Sequence, residues 1–435
     1  MTALVVWAVF IATAAFGADA APPPPKVVNS GDTAWMLVST ALVMLMTPGL
    51  GLFYAGMVRR KNVLGTIMQS FAILCMVSVI WVLWGYTLSF GPDKFGGLIG
   101  GFEWFGLNTV GQEPSDYAKT IPHLVFMMFQ GMFAIITPAL ITGAFAERMK
   151  FSALMLFSAL WLTFVYSPLC HWVWGGGWIG AKLGAIDFAG GTVVHINSAV
   201  AAIAAIIVIG KRKGYGKVPM PPHNLPMTIT GAALLWFGWF GFNAGSALTS
   251  GGLASVAFVT TNTATGMAAM AWMLVEWIHR GKPTALGIAS GAVAGLVAIT
   301  PAAGYVTPLS SIVIGAGAGI ICYTAVSLRP KFGYDDSLDV IGVHGAGGTW
   351  GALATGLFAT VAVNSDGKDG LFYGNAGLLI TQLEAVVATY VFVFIASLIL
   401  LKIVDVIVGL RVDEEDEATG LDLAVHGENG YDFES

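Results

Sequence analysis

Two histidines, His195 and His344, each lie inside an apolar stretch long enough to cross a membrane, and the chain around them looks like two versions of one unit. Hydrocarbon penalises an ionisable side chain, so one kept at bilayer depth faces a cavity, a partner or a transport path. Two neutral imidazoles can share a hydrogen bond while each offers its other nitrogen outward. Such a pair can take a proton from one side and deliver it to the other. For either ring alone the alternative is a core histidine bonded to a neighbouring helix. No cysteine or carboxylate stands at metal-ligand spacing from them, so neither a metal nor another cofactor is expected.

The densest stretch is Trp174-Gly-Gly-Gly177 followed by Asp187-Phe-Ala-Gly-Gly-Thr-Val-Val-His195-Ile-Asn197. Asp187 stands just before a helix, where a carboxylate can accept from free backbone N–H groups and sit against the positive end of the dipole. It is read as a cap, with direct contact to a cation as the other possibility. Aromatic residues make up 12% of the chain, so a lone Trp or Phe is first of all packing or interface belt.

The elements that must hold these residues follow from composition. The chain is 56% hydrophobic and 10% charged, with a mean hydropathy of +0.77. Soluble domains carry roughly 25% charged residues. The sequence therefore reads as an all-α polytopic membrane protein built as one bundle. Apolar runs predict eleven transmembrane helices in the mature chain, over 34–56, 66–90, 122–146, 151–170, 191–210, 226–247, 254–278, 284–300, 307–328, 339–362 and 375–408. Of the 20 Lys and Arg residues, 15 fall on one side, leaving Lys26, Lys94, Lys119, Lys182 and Lys368 on the other. The positive-inside rule then predicts a cytoplasmic C-terminus and an external start to the mature chain.

Beyond the histidines the halves echo one another. Leu52-Phe-Tyr-Ala-Gly56 matches Gly241-Phe-Asn-Ala-Gly245, and Ile136-Thr-Pro-Ala139 matches Ile299-Thr-Pro-Ala302. With the histidines these give offsets of 189, 163 and 149 residues, shrinking in order as if the second half had shorter connections. Units of five helices, an odd number, place the second copy upside down relative to the first. The predicted architecture is two inverted five-helix repeats plus a final long helix, with a substrate site near the midplane between them.

Residues 1–20 read as a secretory signal, cleaved after Ala18-Asp-Ala20, with an uncleaved signal anchor as the alternative. Residues 32–408 form the membrane domain and 409–435 a cytoplasmic tail. Cys75, Cys170 and Cys322 read as packing thiols. Most of the net charge of −5 comes from Asp413 to Glu434, which holds nine acids and no Lys or Arg and by composition fits a solvated, disordered end.

Several long motifs in order resemble the ammonium transporters of the Amt/Rh family, bacterial Amt branch. They are the 187–197 stretch, Pro222-His-Asn-Leu-Pro226, Gly238-Trp-Phe-Gly-Phe-Asn-Ala-Gly-Ser246, Val340-Ile-Gly-Val-His-Gly345, Gly409-Leu-Arg-Val412 and His426-Gly-Glu-Asn429. The resemblance covers residue 32 to the end. It implies nitrogen uptake by a homotrimer in the bacterial inner membrane, with one pore for ammonium or ammonia in each subunit and methylammonium as an analogue. It makes His195 and His344 the twin pore histidines and proton relay, and Asp187 the acid supporting the pore mouth. Trp174, Phe129, Phe133 and Ser246 become the recruitment site, where a cation sits over aromatic faces while donating to a hydroxyl. Phe133 and Phe242 become the stacked gate, and Asp339 a further supporting acid before His344. The resemblance also reverses the reading of the tail, which should pack beneath the pores and help dock a PII-type regulatory protein. The partners implied are membrane lipid and that protein, with no nucleic acid. Two rivals stand beside transport: an ammonium sensor signalling through its tail, and an intramembrane hydrolase using Ser246 or Ser290 with a histidine. For the second, nothing builds an oxyanion site, and Ile288-Ala-Ser-Gly291 departs from the expected Gly-x-Ser-Gly.

Overall fold

The computed structural model describes residues 26–431, which are helical with no strand among them. The segment expected to be a signal, 1–20, lies outside the described residues. Among the described residues eight helices are long and apolar enough to cross a membrane: α1 Ser30–Met57, α2 Arg60–Phe90, α3 His123–Phe145, α4 Phe151–Leu183, α5 Gly191–Ile209, α6 Leu225–Gly245, α9 Pro308–Phe332 and α11 Ala376–Val408. The other three expected spans are also helices. Helix α7, Gly252–Arg280, is long but carries Thr260, Thr261, Asn262, Thr263 and Thr265 in its middle. Helix α8, Ala285–Ile299, is short, and α10 runs over 341–358.

Helix starts follow the local chemistry of their caps. Asn29, Asn224, Thr284, Thr307 and Asn375 each turn a side-chain oxygen onto a free N–H of the first turn. A cap of this kind contributes about 1 kcal/mol, and Pro226 and Pro308 sit in the first turns, where no N–H is needed. Helices α1 and α6 lie against each other along most of their length. Gly231 permits this, since a methyl there would collide with the backbone of Phe53. Helix α11 packs on both α5 and α10, the two helices that carry the histidines.

One face gathers the basic loops into a buried ionic network. The Glu147 side chain, fully buried, accepts from Arg59, Asn62 and Arg212, and Arg212 also forks onto Asp335 at 2.8 and 3.0 Å. Burial alone would raise the Glu147 and Asp335 carboxyls, but the guanidinium groups of Arg59 and Arg212 hold Glu147, and those of Arg212 and Arg148 hold Asp335, below the usual range. Arg148 is pushed down to about 10 by burial and donates to three backbone carbonyls, of Ala146, Gly210 and Asp335, and to Ser337.

The tail joins this network instead of trailing in solvent. It forms α12, Glu414–Thr419, and α13, Leu421–His426. Glu417 binds Arg411 and the Lys213 amide, Lys61 donates to the carbonyls that end α12, and Asp422 accepts from the Leu64 and Gly65 amides. Composition alone pointed to disorder. Six buried or half-buried anchors between 410 and 422 overrule it, because each bonds a group of the membrane domain at this face.

Candidate functional site

The two histidines meet. Nδ1 of His195 lies 3.3 Å from Nδ1 of His344, with ring centroids 5.3 Å apart, so one ring donates while the other accepts. Both side chains are buried, and Nε2 of His195 has no hydrogen-bond partner. Each histidine sits in a π-helical turn, Gly191–Ile196 for His195 and Ile341–Gly345 for His344. Such turns widen the helix locally and recur at functional sites.

A carboxylate fixes the start of each turn. Asp187 accepts from the amides of Gly190, Gly191, Thr192 and Val193 and from the Thr192 hydroxyl. These five donors occupy both its oxygens, which is the arrangement of a cap. The corresponding residue before His344 is Asp336, which the sequence reading passed over. Its Oδ2 accepts from the Ile341 amide at 2.7 Å, it is fully buried, and Oδ1 has no partner. A spacing of eight residues was the available signal, since 195 minus 187 equals 344 minus 336. Asp339, the acid singled out instead, has a left-handed backbone (φ 61°) and pairs with Arg329.

On the side away from the basic face, aromatic rings stand over the pair. Phe133 and Phe242 lie 4.2 Å apart at 32°. Phe129 meets Phe133 at 5.0 Å, and Trp174 meets it edge-on at 5.8 Å. The indole N–H of Trp174 donates to the Asp187 carbonyl at 2.8 Å, which fixes the ring to the same turn that caps α5. Ser246 is half-buried and donates to the Phe242 carbonyl at 2.8 Å, leaving its oxygen free to accept. Beneath Phe242, His195 stacks within 5.4 Å of Trp239.

Three cavities run in line from here toward the basic face. The first, about 10 Å³, is lined by Phe242, Trp239, His195, His344 and aliphatic side chains, and has room for roughly one water molecule. The second, about 30 Å³, begins at His344 and ends at Asp339. The third, about 410 Å³, begins at Asp339 and widens between Glu276, Arg280 and Arg329. The site is thus closed by rings on one side and opens by steps on the other.

The other buried histidines are engaged elsewhere. Nε2 of His123 meets the Tyr86 hydroxyl at 2.5 Å, and Nδ1 of His171 meets the Ser89 carbonyl at 3.0 Å. The loop that follows α2 packs Trp104 on Tyr86 and Tyr117 on Phe90, a use of its aromatics that the sequence did not indicate.

The sequence model of the Ammonium Transporter Family matches residues 34–431. This chain belongs to that family. It is similar to the ammonium transporter of Bacillus subtilis, 59% identical over 93% of this chain and 99% of the relative. Its fold is similar to that of Candida albicans Mep2, with a TM-score of 0.84 and 39% identity over 89% of this chain and 88% of the other. It also resembles a structure described as a sensor Amt protein, with a TM-score of 0.83 and 29% identity over 91% and 98% of the two chains. An ammonium transporter family member with these apolar helices is a multi-pass membrane protein and a transporter, not an enzyme, which removes the hydrolase reading.

Proposed function

We propose that each chain moves ammonium or ammonia through a path lined by the Phe133–Phe242 pair and the His195–His344 pair. The observation that carries this reading is the short Nδ1 to Nδ1 approach of two buried histidines inside an otherwise apolar constriction. A cation approaching from outside rests against Trp174 and Phe129 by cation–π attraction and donates to Ser246. The constriction beyond Phe242 is too narrow for a hydrated ion, so the species that enters has lost its water shell, and ammonia with a separately conducted proton satisfies that limit. The histidine pair takes the proton on the free Nε2 of His195 and passes it through the shared hydrogen bond to His344. Reprotonation follows where the path widens at Asp339.

In this reading the helices α7, α8 and α10 complete eleven crossings, and the basic face is cytoplasmic in a bacterial inner membrane. Chains associate as homotrimers with one path each, and the docked tail with loop Lys211 to Lys217 receives a PII-type protein. Sensing remains a second reading because the tail is bonded to loops near the wide cavity and one structural relative is described as a sensor. Purified protein in liposomes decides between them. An ammonium gradient should drive current or methylammonium uptake; a protein that binds ammonium in that assay yet moves none is a sensor, and one that does neither overturns the proposal.

A further inference from the structure

Gln382 lies on α11, the helix outside the two expected repeats, and is 2% exposed. Its amide closes a two-way pair on one residue. The Ile186 N–H donates to Oε1 at 2.9 Å, and Nε2 donates to the Ile186 carbonyl at 2.8 Å. Nε2 also donates to the Ala352 carbonyl in α10 at 3.2 Å. One side chain therefore ties the turn before α5 to α10. Gly356 lets the helices approach this closely, since a methyl there would stand 2.7 Å from the Leu379 Cα and 3.3 Å from the Gln382 Cγ.

The residue so clamped is the neighbour of a hub. Asp187 receives the Trp174 indole on its carbonyl and, through its carboxylate, orders the turn that carries His195. A shift of the 186–187 peptide would move the ring at the mouth and the histidine in the constriction together. A second tie lies further along α11, where the Tyr390 and Thr349 hydroxyls meet at 2.9 Å one turn beyond His344.

We propose that Gln382 is a positioning residue for transport: by holding both polar groups of Ile186 it sets Trp174 and His195 in register with the α10 half of the path. The inference rests on the roles proposed above for Trp174 and His195. A buried amide that loses its partner is costly, whereas its shape can be replaced by an apolar chain of similar length.

The test is methylammonium uptake and ammonium-driven current in liposomes for Gln382→Met, Gln382→Glu and the lipid-facing control Ile380→Ala. Gln382→Met should raise half-saturation by about fivefold or more, lower selectivity over potassium, and change the unfolding midpoint in detergent by only a few degrees. Gln382→Glu keeps an acceptor for the Ile186 N–H and, protonated in this buried site, one O–H donor for two carbonyls, so it should fall between Met and wild type; it carries the test alone if the Met variant does not fold. Ile380→Ala should match wild type. Combined with Trp174→Leu, Gln382→Met should add little to half-saturation, because the ring it positions is already gone. Wild-type half-saturation and selectivity in both Gln382 variants, or full additivity with Trp174→Leu, would overturn the clamp. If Trp174→Leu alone is silent, the recruitment reading fails, and the clamp is then judged on current, which Gln382→Met must still lower.

Discussion

The two histidine-bearing segments use one backbone device in two different settings. Each begins with an aspartate eight residues upstream and passes through a π-helical turn. Around His195 the packing is tight even though its Nε2 is unpartnered: five donors surround Asp187, Trp239 stacks on the ring, and Phe242 closes the space above. Around His344 the packing relaxes, with one oxygen of Asp336 unpartnered and two cavities meeting at the ring. Two copies of one backbone turn can therefore share geometry and still differ in direction, because direction lies in what surrounds each copy.

The largest expected effect comes from the histidines. His195→Ala should lower ammonium-driven current by at least about tenfold or abolish selectivity over potassium, and His344→Ala should do less, because its side of the pair already opens to the wider cavities. Equal losses, read as current in liposomes, would erase the contrast. Next are the two aspartates. Asp187→Ala removes the acceptor for five donors and should destabilise the fold by roughly 2–4 kcal/mol, against roughly 1–2 kcal/mol for Asp336→Ala. Thermal unfolding in detergent measures both, and a larger loss at Asp336 would reverse the ranking.

The smallest effect concerns the tail. Deleting 410–435 should lower or deregulate uptake by about twofold, with a PII-type protein inhibiting only the full-length form, since the anchors lie at loops rather than in the path. Acid offers a milder version. Glu147 and Asp335 have folded-state carboxyls held below their unfolded values, so their contribution is present above the ordinary carboxylate range near pH 4 and is lost as pH falls through the lowered values. Proteolysis of the loops around Arg59 and Arg212 should thus be slow at neutral pH and rapid only in strong acid; cleavage there near pH 6 would assign the loop network to other groups.

Much of this was legible in the chain. His195, His344 and Asp187 stood out because polar residues are rare in apolar runs, and a helix lies at each expected span, eight of them long and apolar enough to cross a membrane, although α2 begins six residues before its expected start and α4 continues past its turn at Trp174. Asp336 was hidden by its neighbours Asp335 and Asp339, three acids in five positions of which sequence could not say which caps α10. Gln382 gave no signal at all. Its partners lie 196 and 30 residues away, and hydropathy treats a lone glutamine in a long helix as an imperfection. The π turns were equally invisible, since they follow from packing rather than from residue type. The tail was misjudged by composition because the charges it needs belong to loops distant in sequence.

Asp422 carries one consequence for how the molecule is made. The α-helical part of α2, which begins at Val63 after a 3-10 turn at Arg60–Asn62, has no side-chain cap from Asn62; its first free amides, Leu64 and Gly65, are met by a carboxylate more than 350 residues later. During synthesis this helix end stays bare until the segment that carries residue 422 has left the ribosome. A chain that stalls or is cut before residue 422 keeps an open helix end on its surface, so the helix that carries Asp422 is also what certifies that the loop between α1 and α2 is finished.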